Sequence, residues 1–583
     1  MRRAPTLTVL AAAGLALLPA CRREPFHGPL RLLEQRTEAG SLPRAGPVTT
    51  GGETRPALLE SARFRVALPR RPLLTYGVGL SWSGEGEAPG WFHVTVRAGD
   101  RVLDERRLNP RAARGWRDVS LPLEGLGREA GLEFEIALSE RDGRPLAPPP
   151  GLLLAVADPV LHDLDAYGRA KGIVLVSIDT LRRDHVGLYG YPKPTTPRID
   201  ALARQALVCD DAVSTSSWTL PAHLSMLTSV DPGAHGGTDM HHGFNHRVPS
   251  LPELLRKAGW ATQAVTSHLY VSATYGLDAG FDHLDFHQDR KAKDVADRAI
   301  DLLDRLGDRP FFLFLHFYDP HWHYDPPEAE LRVFEPTPYR GAITGLWQDF
   351  KERRPEDVSP ADLAHLLALY DGEIRYTDEH VGRILDHLEQ RGLAAGTLVM
   401  VTSDHGEEFL DHGSWEHQKT LYEEVVRVPL LLRGPGVPAL RVAAQASLLD
   451  VAPTLLAWAG LPAAPSHQGA SLLGPRSEAE AYGETDNTAD GTRKLFLRAG
   501  QASWKLILSL DPETTEVRRA EWYDLSADPR EARSVPPRDA VAESLSRRAV
   551  ARWREARGRG VGAPAVALTP EQKERLKSLG YLQ

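Results

Sequence analysis

Two short segments constrain the fold of this chain more than any other feature, because each ends an apolar run of β type on an acidic cluster. They are Val174 to Asp184 (VLVSIDTLRRD) and Leu398 to Glu408 (LVMVTSDHGEE). In open α/β sheets the functional site lies at the carboxyl ends of such strands. The two segments therefore predict an α/β fold whose site lies where these strands end.

A hydroxyl-rich turn lies between the two acidic segments. It runs from Ser216 to His223 (SSWTLPAH) and leads into the helical pattern Leu224 to Thr228. A hydroxyl at a helix N-terminus can act as a nucleophile toward an anionic centre, because the N–H groups there favour negative charge. Together with the acidic segments, this turn indicates a metal-assisted site that cleaves esters.

The size and charge of the chain limit its architecture and its partners. With 583 residues it exceeds one ordinary domain, so two or three folding units are expected. Its formal net charge of −9 argues against nonspecific nucleic-acid binding, which depends on a basic surface.

The amino terminus has the layout of a secretory signal: a basic tip, an apolar stretch from Leu7 to Leu18, and small residues before Cys21. The segment Leu18 to Cys21 (LPAC) resembles a bacterial lipoprotein box, which predicts an exported protein of the periplasm or cell envelope, lipid-anchored through Cys21. Simple cleavage to a periplasmic protein without an anchor is the alternative. No apolar stretch reaches the roughly 20 residues that span a bilayer, so membrane contact is predicted only through the anchor. Cys209 is predicted to be inert packing.

Composition divides the chain into four parts. Residues 1–21 are the predicted signal, 22–165 a tether and a β-sandwich, 166–490 the α/β core, and 491–583 a small C-terminal subdomain with its tail. Short alternating runs between Gly, Pro and charged turns predict the antiparallel sandwich; they cover 64–68, 74–78, 91–96, 119–123 and 132–136. Such a module binds sugars or serves as a spacer, and no aromatic platform favours the first role.

Past residue 165 the strands and helices alternate, which is the pattern of an α/β domain. Helical periodicity covers 251–258, 292–306 and 363–388, and strand runs cover 311–317, 398–402 and 429–433.

Three side chains at predicted strand ends suit a divalent cation. Asp179 follows the run 174–178, and Asp404 with His405 follows the run 399–403. Carboxylate oxygens, sometimes with imidazole, hold such a cation for phosphoryl or sulfuryl chemistry. Either aspartate alone is explained as a turn former or helix cap. The two together, each at the start of a polar loop, indicate a metal site.

Thr219 has two interpretations. A threonine before a proline-containing helix start caps the helix by default. A cation next to its hydroxyl would lower the pKa of that hydroxyl and let it attack phosphorus. Its role as a nucleophile therefore depends on the two acidic segments.

Two histidine-rich clusters come after predicted strands. His316 to His323 (HFYDPHWH) follows the apolar run 311–315, and Asp411 to Lys419 (DHGSWEHQK) follows the second acidic segment. Three histidines at strand-end spacing are more than packing explains, and cations in the second cluster would hold the oxygens of a tetrahedral anion. We expect both clusters to face a shared pocket.

Residues from about 171 to 475 resemble the sulfatase family of the alkaline phosphatase superfamily, which includes arylsulfatases, phosphonate monoester hydrolases and phosphoethanolamine transferases. The segments that carry the resemblance are Ile178 to Asp184 (IDTLRRD), Thr219 to His223 (TLPAH), Tyr318 to His321 (YDPH), Tyr370 to Ile374 (YDGEI), Thr402 to Glu407 (TSDHGE) and Lys419 to Glu424 (KTLYEE). Later landmarks are Leu449 to Leu455 (LDVAPTL) and Trp522 to Pro529 (WYDLSADP).

The resemblance implies an alkaline phosphatase-like α/β/α core, here with an N-terminal antiparallel β-sandwich and a small C-terminal subdomain. It implies a divalent metal, Mn, Zn, Ca or Mg, whose ligands are Asp179, Thr219, Asp404 and His405. It places Thr219 at the nucleophile. The residues that it assigns to substrate oxygens or the leaving group are His321, His417 and Lys419, and His223 and His323 are further candidates for substrate binding.

The departures from the family pattern affect the expected chemistry. Sulfatases use Cys or Ser, oxidised to formylglycine, in a Cys/Ser-x-Pro-x-Arg turn, whereas this chain has Thr219, which cannot yield the aldehyde. The family Arg is replaced by His223, a further Lys by Ser267, and the second Asp of an Asp-Asp pair by Thr180. A threonine nucleophile is what phosphoethanolamine transferases and lipoteichoic acid synthases of the superfamily use.

The leading hypothesis is an exported, metal-dependent hydrolase or transferase that cleaves a phospho- or sulfoester through Thr219, with phosphorus esters favoured. Its partner would be an ester substrate, such as a sulfated or phosphorylated glycan or lipid, and not nucleic acid. One alternative is a true sulfatase that uses unmodified Thr219 or metal-activated water. The other is a degenerate, non-catalytic protein that binds glycans, and the intact Asp179, Asp404 and His405 count against it.

Overall fold

The computed structural model describes residues 30–50, 53–83, 89–108, 116–163, 172–306, 310–346, 349, 353–475, 480–486, 488, 490–499, 504–535, 540–560 and 562–578. The predicted signal and Cys21 lie outside these residues. Among the described residues, no helix combines the length and the apolar character needed to cross a bilayer.

Strands and helices follow one another along the chain in three groups. The N-terminal strands are β1 (Leu30–Arg31), β2 (Ala45–Thr50), β3 (Glu53–Leu58), β4 (Ala62–Ala67), β5 (Pro72–Trp82), β6 (Trp91–Ala98), β7 (Arg101–Leu108), β8 (Arg117–Pro122), β9 (Glu129–Ser139), β10 (Pro145–Leu146) and β11 (Leu152–Asp163). The central elements are β12 (Gly172–Ile178), α1 (Pro197–Ala203), β13 (Leu207–Val213), α2 (Thr219–Thr228), α3 (Pro232–His235), α4 (Leu251–Lys257), β14 (Ala261–Thr266), β15 (His283–Phe286), α5 (Ala292–Leu306), β16 (Phe311–Phe317), α6 (Glu328–Phe334), α7 (Pro360–Gln390), β17 (Thr397–Ser403), β18 (Glu408–Phe409), β19 (Trp415–Glu416), α8 (Glu423–Val426), β20 (Arg427–Arg433), β21 (Leu440–Val442), β22 (Ala446–Ser447) and α9 (Val451–Trp458). The C-terminal elements are β23 (Ala481–Thr485), β24 (Arg493–Arg498), β25 (Trp504–Leu510), β26 (Val517–Asp524), α10 (Ala540–Arg559) and α11 (Pro570–Ser578).

The core is a mixed sheet between two helical layers. Its strand order is β21-β13-β20-β17-β12-β16-β14-β15, and central β12 pairs in parallel with β16 and β17. The side chains of β16 alternate between the two faces: Phe312 and Phe314 join the cluster of α2, α4 and α9, whereas Leu313 and Leu315 join the cluster of α1, α5 and α7. This arrangement confirms the predicted α/β/α core.

The N-terminal part contains the predicted antiparallel strands, packed as two sheets. One sheet has the order β10-β9-β6-β7, with β4 beside β9; the other contains β1, β2, β3, β5, β8 and β11. Along β4 buried and exposed residues alternate, as the sequence pattern predicts for a strand with one face in a core. A buried apolar cluster that includes Phe64, Phe92 and Phe134 fills the space between the sheets.

The sandwich and the core share one sheet, which the sequence pattern does not predict. β3 pairs with β15 through Leu284 opposite Thr54 and Asp285 opposite Glu53, so the combined sheet has 15 strands. Buried Arg31 adds an ion pair across this junction, because its guanidinium lies 2.9 Å from Asp158 and 2.6 Å from Asp282. The pairing uses backbone groups, which leave no side-chain pattern in the sequence.

The C-terminal part is an antiparallel sheet with a helix against it. Strands β23 to β26 are adjacent in order, and α10 contributes Leu545, Ala549 and Trp553 to their shared apolar cluster. The predicted boundary at residue 491 falls between β23 and β24, two neighbouring strands of this sheet.

Candidate active site

The strand register brings the two aspartates of the acidic segments together. Ile178, at the end of β12, lies opposite Ser403, at the end of parallel β17. Asp179 and Asp404 are the residues that follow, and both are completely buried. The sequence prediction that these carboxylates share one edge of the sheet therefore agrees with the register.

His405 and Thr219 complete a compact group with the two carboxylates. The His405 Nε2 atom lies 3.6 Å from Asp179 Oδ1, 3.3 Å from Asp404 Oδ2 and 3.5 Å from Thr219 Oγ1. His405 donates its Nδ1–H to the carbonyl of Gly406 at 2.9 Å, so in the neutral ring the Nε2 lone pair faces the carboxylates. Burial opposes the charged form, but Asp404 and Asp179 outweigh burial and raise the pKa of His405, and a bound cation would take the place of the Nε2 proton. Oxygen and nitrogen atoms with such spacing form a donor set suited to a divalent cation.

The hydrogen bonding around the aspartates tests this fit. Within the described part of the chain, both carboxylate oxygens of Asp179 and the Oδ2 atom of Asp404 are buried and accept no hydrogen bond. Burial, together with repulsion from Asp404, raises the pKa of Asp179 well above its usual value. Buried carboxylates stay ionised only when a positive charge compensates them. A divalent cation among Asp179, Asp404, His405 and Thr219 would supply that charge.

Thr219 is the first residue of α2, and the residue in the capping position is Trp218. The capping interpretation therefore does not explain the Thr219 side chain, whose Oγ1 faces His405. The helix N-terminus behind it adds backbone N–H groups that favour an anion. The position suits an attacking hydroxyl.

His223 lies one helical turn after Thr219 and is completely buried. It donates Nδ1–H to the Thr219 carbonyl at 2.8 Å, and its Nε2 accepts from the Ser177 hydroxyl at 2.9 Å. Burial lowers the pKa of His223 to about 4, so the ring is neutral at pH 7. Both ring nitrogens are thus engaged within the protein, which leaves neither for a substrate oxygen in this structure.

His321 and His417 lie together beside His405. The ring centroids are 4.9 Å apart between His321 and His417, and 4.4 Å apart between His417 and His405. His321 donates Nδ1–H to the Trp322 carbonyl at 2.8 Å, and His417 donates Nδ1–H to Glu407 at 3.0 Å. Burial lowers the pKa of both imidazoles well below its usual value. Each is therefore a neutral ring with an acceptor Nε2.

The other two predicted substrate residues lie farther out. Lys419 is 34% exposed and pairs with Glu416 at 2.6 Å, and burial raises the pKa of Glu416 to about 7. His323 is half-buried, and its pKa is lowered by burial and by the charge of Lys291. These two side chains belong to the loops that surround the buried group.

Two further residues, Glu407 and His316, enter the site without a role that the sequence pattern predicts. Glu407 holds His417 with one carboxylate oxygen and accepts from the Tyr324 hydroxyl at 3.1 Å with the other. The Nε2 atom of His316, on β16, lies 3.3 Å from Asp179 Oδ2. Glu407 belongs to the segment TSDHGE and His316 to the segment HFYDPHWH, both of which the sequence pattern marks as functional. The proximity of His316 to Asp179, however, follows only from the register of β16 with β12.

Replacement of Glu407 tests whether it orients His417. We expect Glu407→Gln to lower kcat by about 10-fold or more, because an amide can present either end to Nδ1 and no longer fixes the tautomer. The measurement is kcat at saturating cation, with cation affinity as the control. An unchanged kcat would show that the position of His417 does not depend on this carboxylate.

A second acid and histidine cluster, Glu408, His412 and Glu424, has a structural role. His412 donates Nδ1–H to Glu424 at 2.6 Å and Nε2–H to the Glu531 carbonyl at 3.2 Å, so its protonated form is satisfied. Glu408 accepts from the backbone N–H groups of His412 and Ser414. The polar contacts of this cluster are made within the protein.

His412 predicts a pH dependence of stability. Burial opposes its charge, but the Glu424 carboxylate outweighs burial and raises the pKa of His412 from 6.5 to about 9. Because folding raises its pKa, protonated His412 stabilises the folded state fully below pH 6.5. This contribution to the free energy of unfolding is lost as the pH rises to about 9. We expect the free energy of unfolding to fall by about 1 kcal/mol over this interval, after a reduction for solvent screening. Denaturant titration of wild type and His412→Gln measures it, and equal slopes would contradict it.

Comparison with known proteins gives a consistent result. Residues 171–461 match the protein-family model described as Sulfatase. N-acetylglucosamine-6-O-sulfatase of Bacteroides thetaiotaomicron is 24% identical over 470 residues, which covers 63% of this chain and 83% of that protein.

Two solved structures show the same fold. One is described as a complex with the substrate D-glucosamine-2-N,6-O-disulfate; its TM-score is 0.56 at 21% identity, over 67% of this chain and 98% of that one. The other is a phosphonate monoester hydrolase from Silicibacter pomeroyi, with a TM-score of 0.54 at 21% identity, over 66% of this chain and 95% of that one.

Proposed function

The chain belongs to the sulfatase family of the alkaline phosphatase superfamily and is an ester hydrolase of that superfamily; we propose that it cleaves a phosphorus ester with Thr219 as nucleophile and a divalent cation as cofactor. The observation that carries this proposal is the convergence of Thr219 Oγ1, His405 Nε2 and two buried carboxylates. The same convergence argues against a degenerate, non-catalytic protein. The cation would be Mn, Zn, Ca or Mg.

The side chains support a two-step reaction. Thr219 Oγ1 attacks phosphorus in line from the start of α2, so the new O–P bond forms as the bond to the leaving oxygen breaks. The proton that Thr219 loses is accepted by a neutral imidazole, that of His321 or His417, and the imidazolium so formed donates it to the leaving oxygen. A bound cation would lower the pKa of the hydroxyl and stabilise charge on the oxygens of the transferred group. Water, or an acceptor alcohol in a transferase, then cleaves the phosphothreonine.

The loss of two positively charged family side chains and of the formylglycine precursor favours a phosphorus ester over a sulfate ester. Oxidation of a threonine side chain gives a ketone, so the formylglycine route of the family is closed to Thr219. The family Arg position holds His223, whose ring is neutral and engaged within the protein. The family Lys position holds Ser267, whose hydroxyl donates to the His316 carbonyl at 2.7 Å. The positively charged side chains that bind the sulfate group in the family are therefore missing at these two positions.

A sulfate ester is the second candidate, because the curated relative described above is a sulfatase by name. In that case unmodified Thr219 would attack sulfur, or metal-activated water would replace it. For either ester, we propose a sulfated or phosphorylated glycan or lipid as the substrate and export to the cell envelope with an anchor at Cys21. The support for export is the signal-like amino terminus alone.

The deciding experiment compares p-nitrophenyl phosphate, phosphodiester, phosphonate and sulfate substrates. The protein without its signal is purified and assayed with Mn, Zn, Ca and Mg added separately. Cation-dependent turnover of a phosphorus ester is the expected result. Turnover of the sulfate alone would favour the second candidate. No turnover of any of the four substrates would contradict hydrolysis of simple esters.

A further inference from the structure

Two of the departures from the family pattern, His223 and Ser267, meet at one buried histidine, His316. Ser267, at the family Lys position, donates its backbone N–H to His316 Nδ1 at 3.4 Å and its hydroxyl to the His316 carbonyl at 2.7 Å. His223, at the family Arg position, lies against the same ring, with centroids 5.0 Å apart. All three residues are completely buried. The replacements thus form one connected arrangement around His316.

In the described structure, four buried atoms of Asp179, Asp404 and His316 lack a hydrogen-bond partner. They are Asp179 Oδ1, Asp179 Oδ2, Asp404 Oδ2 and His316 Nε2. The cation proposed above would satisfy Asp179 Oδ1 and Asp404 Oδ2, because these are the atoms nearest His405 Nε2. The two that remain, Asp179 Oδ2 and His316 Nε2, lie 3.3 Å apart.

The contact with Ser267 fixes the tautomer of His316. A backbone N–H can only donate, so the Nδ1 atom that receives it must carry a lone pair. In a neutral imidazole the proton then lies on Nε2, the nitrogen that faces Asp179. A single proton on Nε2 would satisfy both remaining atoms if the 3.3 Å contact, which is not aligned as a hydrogen bond in this structure, closed into one.

We propose that His316 is a positioning residue that donates Nε2–H to Asp179 Oδ2, so that Asp179 presents only Oδ1 to the cation. This inference rests on the proposed function, since it concerns the cation of that site. Outer hydrogen bonds of this kind orient ligand carboxylates and typically change metal affinity by about 10- to 100-fold. At the positions of the two family cations, His223 and Ser267 thus hold His316, which in turn orients the metal ligand Asp179.

A second cation beside His316 is the competing arrangement. His223, His316 and Asp404 each offer an atom within 4.8 Å of the others, a spacing that would suit an ion. It would require a lone pair on His316 Nε2, which the Ser267 contact opposes. It would also require a nitrogen from His223, whose two nitrogens already bond Ser177 and the Thr219 carbonyl. The hydrogen bonds therefore favour one cation per chain.

The test uses cation binding and not turnover. Manganese is titrated into the metal-stripped full protein without its signal, and stoichiometry and Kd are measured by calorimetry. Electron spin echo spectroscopy of the manganese-loaded wild type then counts coordinated imidazoles. We expect one manganese per chain and one imidazole, that of His405. His316→Phe should bind manganese about 10- to 100-fold more weakly, while His316→Gln, which keeps an N–H donor, should lose less.

His365→Phe is the matched control, because His365 lies on α7 and pairs with Glu335 outside the site. It should bind manganese as wild type does. Two ions per chain, two coordinated imidazoles, or an unchanged Kd in His316→Phe would each overturn the proposal. The imidazole count needs only wild type, so it decides the matter even when His316→Phe does not fold. If wild type binds no cation, the proposed function fails as well, whereas binding without hydrolysis leaves this inference standing.

Discussion

Thr219→Ala is expected to lower kcat by about 10³-fold or more on any phosphorus ester that the wild type cleaves. The hydroxyl at the start of α2 is 3.5 Å from His405 Nε2, and alanine removes it without disturbing the capping residue, Trp218. Thr219→Ser keeps a hydroxyl at the same place and should retain most of the activity. Steady-state kinetics at saturating cation measures all three proteins.

The matched control for Thr219→Ala is Ser217→Ala. Ser217 lies two residues before the nucleophile, and its hydroxyl donates to the Gln418 carbonyl and not toward His405. Its kcat should stay within a few-fold of wild type. A slowly hydrolysed substrate should also leave a phosphoryl group on Thr219 that peptide mass spectrometry can locate. Full cation-dependent turnover by Thr219→Ala would rule out the threonine mechanism and point to attack by water.

Asp404→Asn is expected to abolish tight cation binding and to lower kcat by about 10³-fold or more, since the carboxylate supplies the charge that holds the ion. Calorimetry measures the binding and steady-state kinetics the turnover. The wild type should lose activity with a chelator and regain it when the cation returns. Added cation should raise the Tm of the wild type, because it binds the folded state only, and leave the Tm of Asp404→Asn unchanged.

Asp386→Asn serves as the control for Asp404. Asp386 is an exposed aspartate of α7 that pairs with Arg198, so its replacement removes the same charge away from the site. Cation affinity and kcat should match the wild type. Normal cation affinity in Asp404→Asn would mean that the buried carboxylates have another function.

Much of the site could be predicted because its residues follow recognisable strands. Apolar runs mark β12 and β17, so Asp179 and Asp404 were expected at one edge of the sheet, and the turn before α2 marked Thr219. What the sequence could not provide is the lateral arrangement of the sheet. His316 lies beside Asp179 only because β16 pairs with β12 in a register that places it opposite Ser177.

Hydrogen bonding explains the rest of the difference between sequence and structure. The replacement of an Arg by His223 suggested a residue that contacts substrate, but its nitrogens are engaged by Ser177 and by the Thr219 carbonyl. That outcome depends on how deeply the ring is buried, which residue type alone does not specify. Glu407 likewise looks like any acidic loop residue until Tyr324 and His417 are placed against it.

The pairing of β3 with β15 also changes how the N-terminal sandwich should be regarded. A sheet that ended at β15 would expose a row of backbone N–H and C=O groups, which can recruit strands from other molecules. The sandwich covers that row, and the burial of Arg31 with Asp158 and Asp282 ties the two parts together. The sandwich is therefore an edge protector of the hydrolase sheet, and removal of residues 22–165 would leave a core prone to self-association.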